Sequence, residues 1–140
     1  MTTKPGTDLS LLKQAIMDRQ KERVQKFLSV EVDEGARFDL ANLSIIHFDE
    51  SIFGLILQKF GIDLTDGDGN TLLHVAAKNG NPEATKILIK ASADVNQTNK
   101  YEFTALHWAA RKGHFKTVEL LLNSSADVNQ QNKLGETALH

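Results

Sequence analysis

The chain contains no cysteine, which excludes disulfide bonds and thiolate metal sites. It also has no apolar run long enough to cross a membrane, and its first residues do not follow the charged-then-apolar pattern of a signal peptide. What remains is an ordinary globular composition, with 41% hydrophobic and 24% charged residues among 140. We expect an intracellular, cytoplasmic protein, with the nucleus or delivery into a host cell as the alternatives.

A dominant charge of one sign is missing too. The net charge is −2, and residues 31–70 hold nine acidic and two basic side chains between flanks that are net basic. A nucleic-acid binder usually needs a basic patch or stripe. The acidic middle argues against one, so no nucleic-acid or membrane partner is predicted.

Catalytic motifs are absent as well. The chain has no G-x-S-x-G, no H-E-x-x-H, no P-loop and no dinucleotide fingerprint. His47, Asp49 and Glu50 are the local acid–base grouping, and at the head of a helix they are better explained by capping and solvation. We therefore predict that the chain is not an enzyme and needs no cofactor.

A calcium loop is suggested by Asp66-Gly67-Asp68-Gly69-Asn70. Such a loop needs glycine at its sixth position and a bidentate glutamate at its twelfth, where this chain has Thr71 and Ala77. We interpret the segment as a solvated turn and predict no metal site.

An internal repeat is what the chain does have. Thr71-Leu72-Leu73-His74 recurs after 33 residues as Thr104-Ala105-Leu106-His107, and again as Thr137-Ala138-Leu139-His140. Residues 71–97 and 104–130 are identical at 13 of 27 positions. In each of the first two units a threonine caps a first helix, a glycine ends it, and a second helix follows with spaced leucines. Such a unit cannot bury its apolar face alone and must stack on copies of itself.

The period, the T-x-L-H start, the Ala-Ala pair, Gly113-His114 and Ala-Asp-Val-Asn resemble the ankyrin repeat family over residues 66–140. The resemblance implies an all-α solenoid of stacked helix-turn-helix units with short projecting β-turns or hairpins, an N-terminal capping helix pair and an open C-terminal end. The sequence departs from the family pattern at two positions. The usual proline after the opening threonine is Leu72, Ala105 or Ala138, and the glycine expected after the second helix is Ser92 or Ser125. A serine that keeps the left-handed conformation there costs roughly 1 kcal/mol or more.

We treat residues 1–140 as a single ankyrin-repeat domain with five segments. They are a cap-like helix pair at 8–33, a degenerate repeat at 38–63, repeats at 66–97 and 99–130, and the start of an incomplete repeat at 131–140. Helices are expected near 9–17, 20–29, 51–60, 72–79, 84–91, 105–112 and 116–123.

The first 65 residues leave alternatives open. Residues 8–29 could form one long helix, but the apolar stripe lapses over 18–23, which favours two. Ser44-Ile45-Ile46-His47 faintly matches the T-x-L-H start. Residues 30–37, from Val30 to Arg37, are expected to form an irregular acidic connection.

Three histidines, His74, His107 and His140, share one repeat position. Stacked helices would place them about 10 Å apart, which is too far for one metal ion. The resemblance implies that each bonds locally at the start of its helix. Trp108 is expected to pack between repeats.

The resemblance also implies partner binding along the concave face and the turn tips. The matching residues are Lys78, Lys100, Tyr101, Phe103, Arg111, Lys112 and Lys133. These residues would form a basic strip with two aromatic rings, suited to an acidic protein or peptide that carries an apolar anchor. The alternatives are a solvated charged face, and a Phe103 ring that folds back against Trp108.

We therefore predict a protein–protein interaction scaffold. The alternative is a structural segment of a longer multi-repeat protein whose main binding site lies outside this chain. Because the third unit stops at His140, we expect a longer natural parent, or another molecule, including a second copy, over the C-terminal end.

Overall fold

A computed structural model describes residues 9–29 and 31–139, so the parts of the predictions that concern Asp8, Val30 and His140 lie outside the described residues. The described residues form helices in two compact units, one ending at Gly61 and one beginning at Ile62. The helices are α1 Leu9–Met17, α2 Lys21–Phe27, α3 Glu34–Ile46, α4 Glu50–Phe60, α5 Leu72–Lys78, α6 Pro82–Lys90, α7 Ala105–Arg111 and α8 Phe115–Asn123.

The predicted all-α class is confirmed. Over residues 9–29 and 31–139 the structure has no strand, and its extended pairing is a single antiparallel bridge between Thr65 and Thr71. No helix in this part of the chain has the length and apolar character needed to cross a membrane.

In the first unit, α1 and α2 are separate helices, so the two-helix interpretation is confirmed. The chain reverses at Arg19, whose φ is 55°. Backbone hydrogen bonds from Arg19 to Ile16 and from Gln20 to Ala15 close α1 there. Helix α1 packs against α2 and α3, and α4 packs against α2 and α3.

Helix α3 corrects the prediction of an irregular connection up to Arg37, because the chain is helical from Glu34 onward. Asp33 and Glu34 lie at the start of α3, where the helix dipole favours negative charge. The acidic composition that suggested a loop therefore marks a helix start. One side of α3 is buried, through Ala36, Phe38, Leu40, Ala41, Ser44 and Ile45.

The proposed match between residues 44–47 and the T-x-L-H start is wrong. These residues end α3, with His47 as its C-cap. Helix α4 begins after Asp49, whose carboxylate accepts a hydrogen bond from the N–H of Ile52 at 3.1 Å. The capping role predicted for this acidic group is confirmed at Asp49.

The second unit contains two stacked copies of one helix pair. Helix α5 packs against α6, α7 against α8, and between the pairs α5 contacts α7 and α6 contacts α8. Ala76, Ala77 and Ala109 are completely buried, as small residues between closely packed helices should be. Leu88 and Leu121, at the same repeat position, are equally buried.

The left-handed serines are confirmed. Ser92 and Ser125 both have φ of 71° and follow the ends of α6 and α8. The residue after each serine donates its N–H back to the helix, from Ala93 to Leu88 and from Ala126 to Leu121, both at 3.0 Å. Both repeats therefore carry the same backbone strain at the same position.

Candidate partner-binding site

Three turns project from the second unit, and one side chain shapes each of them. Asp66, Asn99 and Asn132 occupy the same repeat position. Oδ1 of Asn99 accepts hydrogen bonds from the N–H groups of Tyr101 at 2.9 Å and Phe103 at 3.0 Å. Asp66 and Asn132 accept the equivalent pair of bonds in their own turns. Side-chain acceptors of this kind fix a turn locally, so the tips have a defined shape.

The tips are also bonded to one another. The N–H of Lys100 donates to the carbonyl oxygen of Asp68 at 2.9 Å, and the N–H of Lys133 donates to that of Tyr101 at 3.0 Å. These bonds place Asp68, Tyr101 and Leu134, the tip residues at one repeat position, in successive bonded turns. We call these three residues the turn row.

His74 and His107 join each first helix to the next turn. The N–H of Thr71 donates to Nδ1 of His74 at 3.0 Å, so the ring proton lies on Nε2, which donates to the carbonyl oxygen of Phe103 at 2.8 Å. His107 bonds in the same way to its own threonine and to the carbonyl oxygen of Glu136. The predicted local bonding is confirmed for these two histidines, and each ring also holds the following turn.

Phe103 does not lie on the surface, and its interpretation as an exposed aromatic anchor is wrong. Its exposed fraction is 9%, and its ring centroid lies 5.3 Å from those of Trp108 and His107. The N–H of Phe103 is bonded to Asn99 and its carbonyl to His74, which fixes the backbone with the ring over α7. The alternative, a ring folded back against Trp108, is the one observed.

Two predicted basic residues lie over these rings. Nζ of Lys78 is 4.9 Å from the ring centroid of Trp108, and Cζ of Arg111 is 5.4 Å from that of Phe103. The face of an aromatic ring attracts a cation at such distances. We call Lys78, Phe103, Trp108 and Arg111 the ring seat; it contains two cations and two contacting rings.

Lys100 is placed differently from the other basic residues. Its ammonium group lies 2.8 Å from Oδ1 of Asp68 and 5.1 Å from the ring centroid of Tyr101. The hydrogen bond to Asp68, followed by the contact with Tyr101, raises the pKa of Lys100 above its ordinary value. This lysine already has a carboxylate partner within the chain.

Lys112 and Lys133 are exposed, and within residues 9–29 and 31–139 neither forms an ion pair. Tyr101 is 48% exposed and Leu134 is 77% exposed, so the turn row does present apolar surface. The structure thus leaves Tyr101 and the five basic residues accessible and removes Phe103 from the accessible set.

A cavity of about 140 Å³ lies beside the ring seat. Its lining residues are Phe103, His107, Ala110, Arg111, Asn132, Glu136, Thr137 and Ala138. Ligand pockets for drug-sized molecules have volumes of roughly 300–1,000 Å³. This cavity is smaller, and its size suits a single side chain.

The calcium-like segment is an internally bonded turn. Besides the two backbone N–H groups, the carboxylate of Asp66 accepts the side-chain amide of Asn70 at 3.0 Å. Burial works to raise the pKa of Asp66, but the bonds from Asn70 and Asp68 outweigh it and lower that pKa. In the described part of the chain, no group of three or more histidine, aspartate or glutamate side chains could hold a metal ion.

Sequence reasoning missed two features of this site. It did not predict that Asp68 would pair with Lys100, because the pair joins different turns and no spacing rule marks it. It also did not predict the turn-shaping role of Asp66, Asn99 and Asn132. For those three a signal existed, namely an Asp or Asn recurring at the 33-residue period.

Comparison with known families agrees with this geometry. The family model for ankyrin repeats matches residues 12–132 with three copies. The chain belongs to the ankyrin repeat family. Ankyrin repeats are generally protein–protein interaction modules and are typically non-enzymatic. A comparison with curated proteins finds no match.

Proposed function

We propose that this ankyrin-repeat chain binds a partner protein through the turn row and the neighbouring basic residues of its second unit. The main support is the exposure of Tyr101 and Leu134 on turns that are already fixed by hydrogen bonds. Aromatic side chains are enriched at interface hot spots, and a fixed turn loses little freedom on binding.

The charges near the turn row indicate an acidic partner. Lys78, Arg111, Lys112 and Lys133 are exposed and form no ion pair within the described part of the chain. An acidic surface would bring carboxylates to these cations while an apolar side chain contacts Tyr101 and Leu134. This is the predicted acidic partner with an apolar anchor. Because Phe103 is buried, the anchor is proposed to contact Tyr101 and Leu134 instead.

Affinity capture tests the proposal. We expect immobilised wild-type chain to retain proteins from a lysate that the variant Tyr101→Ala/Leu134→Ala retains at least ten-fold less. Lys86→Glu, a charge change on the exposed side of α6, is the matched control and should retain the same proteins as the wild type. Circular dichroism melts should show that both variants fold. Equal retention by the double variant and the wild type would refute the proposal.

The alternative, a segment of a longer repeat protein, is favoured by one observation. Helix α8 exposes Phe115 at 80% and Leu122 at 43%, both apolar. A following repeat, or a second copy, could cover these side chains. Extension by further 33-residue units should then raise the melting temperature, whereas an unchanged melting temperature and a monomer at high concentration in light scattering would contradict this alternative.

A further inference from the structure

The ring seat differs from the rest of the basic strip because its cations are held in place without being neutralised. We propose that Lys78 and Arg111 of the ring seat bind carboxylates of an acidic peptide, and that Asp68 withholds Lys100 from the same peptide. Asp68 is then a specificity-determining residue. This inference rests on the proposed function and names the part of the surface that binds acidic side chains.

Lys78 and Arg111 have no carboxylate within 4 Å among residues 9–29 and 31–139. Their contacts are with rings, at 4.9 Å for Trp108 and 5.4 Å for Phe103. A ring face attracts the cation but carries no net charge, so each side chain remains a full positive charge. Because the rings already restrain both side chains, less rotamer entropy is lost when a carboxylate binds.

Lys100 differs from the cations of the ring seat because it already has a carboxylate partner. Its ammonium is 2.8 Å from Asp68, and the side chains of the pair are 53% and 49% exposed. A carboxylate from a partner would have to displace Asp68, exchanging one ion pair for another with little gain. The turn therefore contributes shape and the Tyr101 ring, whereas the acid is recognised at Lys78 and Arg111.

A peptide fits this arrangement better than a nucleic acid does. Proteins that bind nucleic acid typically neutralise several phosphates in a row, and here Asp68, Glu102 and Glu136 interrupt the cations along the turns. The cavity beside Arg111, about 140 Å³, has room for a single side chain of such a peptide. A peptide in which acidic residues alternate with other side chains would match both features.

Trp108 provides the experiment, because it is the single tryptophan of the chain and lies within the ring seat. The probe is an acetylated, amidated peptide of four glutamates around one leucine, and its glutamine counterpart is the control peptide. We expect the glutamate peptide to change the emission of Trp108 saturably and the control peptide to leave it unchanged. Raising the salt concentration should weaken binding.

Substitutions test which charged side chains bind the probe peptide. Lys78→Gln and Arg111→Gln should each weaken binding of the probe about two- to five-fold, the range expected for exposed ion pairs. Replacing both members of the ion pair, in Asp68→Asn/Lys100→Gln, keeps the local charge the same and should leave the midpoint of the titration unchanged. Asp68→Asn should strengthen binding about two- to five-fold, because it frees Lys100. Midpoints rather than amplitudes are compared, since Lys78 itself affects the emission of the ring.

Three results would overturn the inference: a midpoint unaffected by Lys78→Gln and Arg111→Gln, a weaker midpoint in Asp68→Asn, or an eight-thymidine single strand that binds more tightly than the peptide. The proposed function is judged separately, by whether captured proteins depend on Tyr101 and Leu134. If the captured proteins still depend on Tyr101 and Leu134 while peptide binding is insensitive to Lys78→Gln and Arg111→Gln, only the inference about the ring seat is refuted.

Discussion

In the described part of the chain each unit contains four helices, but the hydrogen bonds that support those helices differ between the units. The first unit buries large apolar side chains, with Phe53, Ile16 and Leu40 at 0% exposure. The second unit also buries large leucines, such as Leu72 and Leu88, and adds hydrogen bonds that recur at the repeat period, through His74 and His107. Large side chains can fill a core from many positions, whereas a hydrogen bond between repeats requires one residue type at one position.

The contrast is clearest in two histidines with similar sequence surroundings. His74 begins a helix, is 1% exposed and bonds to the following turn. His47 ends a helix, and within the described part of the chain its side chain makes no hydrogen bond. The same residue type is therefore a bonded structural element in one unit and a partly exposed C-cap in the other.

Replacing these histidines should give the largest difference. His74→Ala removes the bonds to Thr71 and Phe103 and leaves a buried gap, so we expect the free energy of unfolding to fall by about 3 kcal/mol. His47→Ala should change it by less than about 0.5 kcal/mol. Urea unfolding followed by circular dichroism measures both. Equal losses would mean that the hydrogen bonds of His74 do not set the second unit apart from the first.

The glycines that end α5 and α7 compare two positions inside the second unit. Gly80 and Gly113 have φ of 63° and 73°, so alanine is strained at both, by about 1 kcal/mol. At Gly80 a Cβ would also lie 2.5 Å from Nδ1 of His114, whose Nε2 is 3.0 Å from the carbonyl oxygen of Lys78. At Gly113 a Cβ would meet nothing within 4 Å.

We therefore expect Gly80→Ala to cost about 2 kcal/mol or more and Gly113→Ala about 1 kcal/mol in urea unfolding. Introducing Gly80→Ala into a His114→Ala background separates the two terms, because the cost relative to His114→Ala contains the strain without the clash. If Gly80→Ala and Gly113→Ala cost the same, contact with His114 does not link the repeats.

Acid should weaken the second unit through His74. Burial lowers the pKa of His74 below the ordinary 6.5, opposed by its bond to Phe103 and by the charge of Asp66. Well above pH 6.5 the ring is neutral in both states and contributes no pH dependence. As the pH falls below 6.5 the unfolded chain binds the proton first, so stability falls until the pH passes the lowered pKa of the folded state.

The measurement is the free energy of unfolding of the wild type and of His74→Ala between pH 7 and 5. The difference between the two should shrink as the pH falls, because the variant has no proton to bind at this position. The change in this difference with pH should be smaller than the loss of stability caused by His74→Ala or by Gly80→Ala. A constant difference would show that protonation of His74 is not linked to folding.

The second unit was largely predictable from the sequence because its constraints are local and recur. Thr71, His74 and Ser92 recur after 33 residues as Thr104, His107 and Ser125, so two copies identify the role of each residue. Helix α3 was not predicted, because its sequence has no second copy in the chain and the acidic residues at its start suggested a loop. The Phe103 ring could have faced water or packed against Trp108, and the spacing of residues in the sequence is the same in both cases.

The smallest expected effect comes from left-handed residues, and it tests whether one backbone rule holds in both units. Ser92 and Ser125 in the second unit have φ of 71°, and Arg19 in the first has φ of 55°. Glycine adopts this conformation without the steric cost that other residues meet, but it loses more entropy on folding. Each of Ser92→Gly, Ser125→Gly and Arg19→Gly should therefore stabilise the chain by a net of about 0.5–1 kcal/mol. Ala91→Gly is the matched control, since Ala91 has φ of −83° and should lose about 0.5–1 kcal/mol. Thermal unfolding gives the sign for all four variants. Stabilisation at Ser92 and Ser125 without stabilisation at Arg19 would mean that side-chain contacts of Arg19 offset its strain, and that the two units differ in this respect as well.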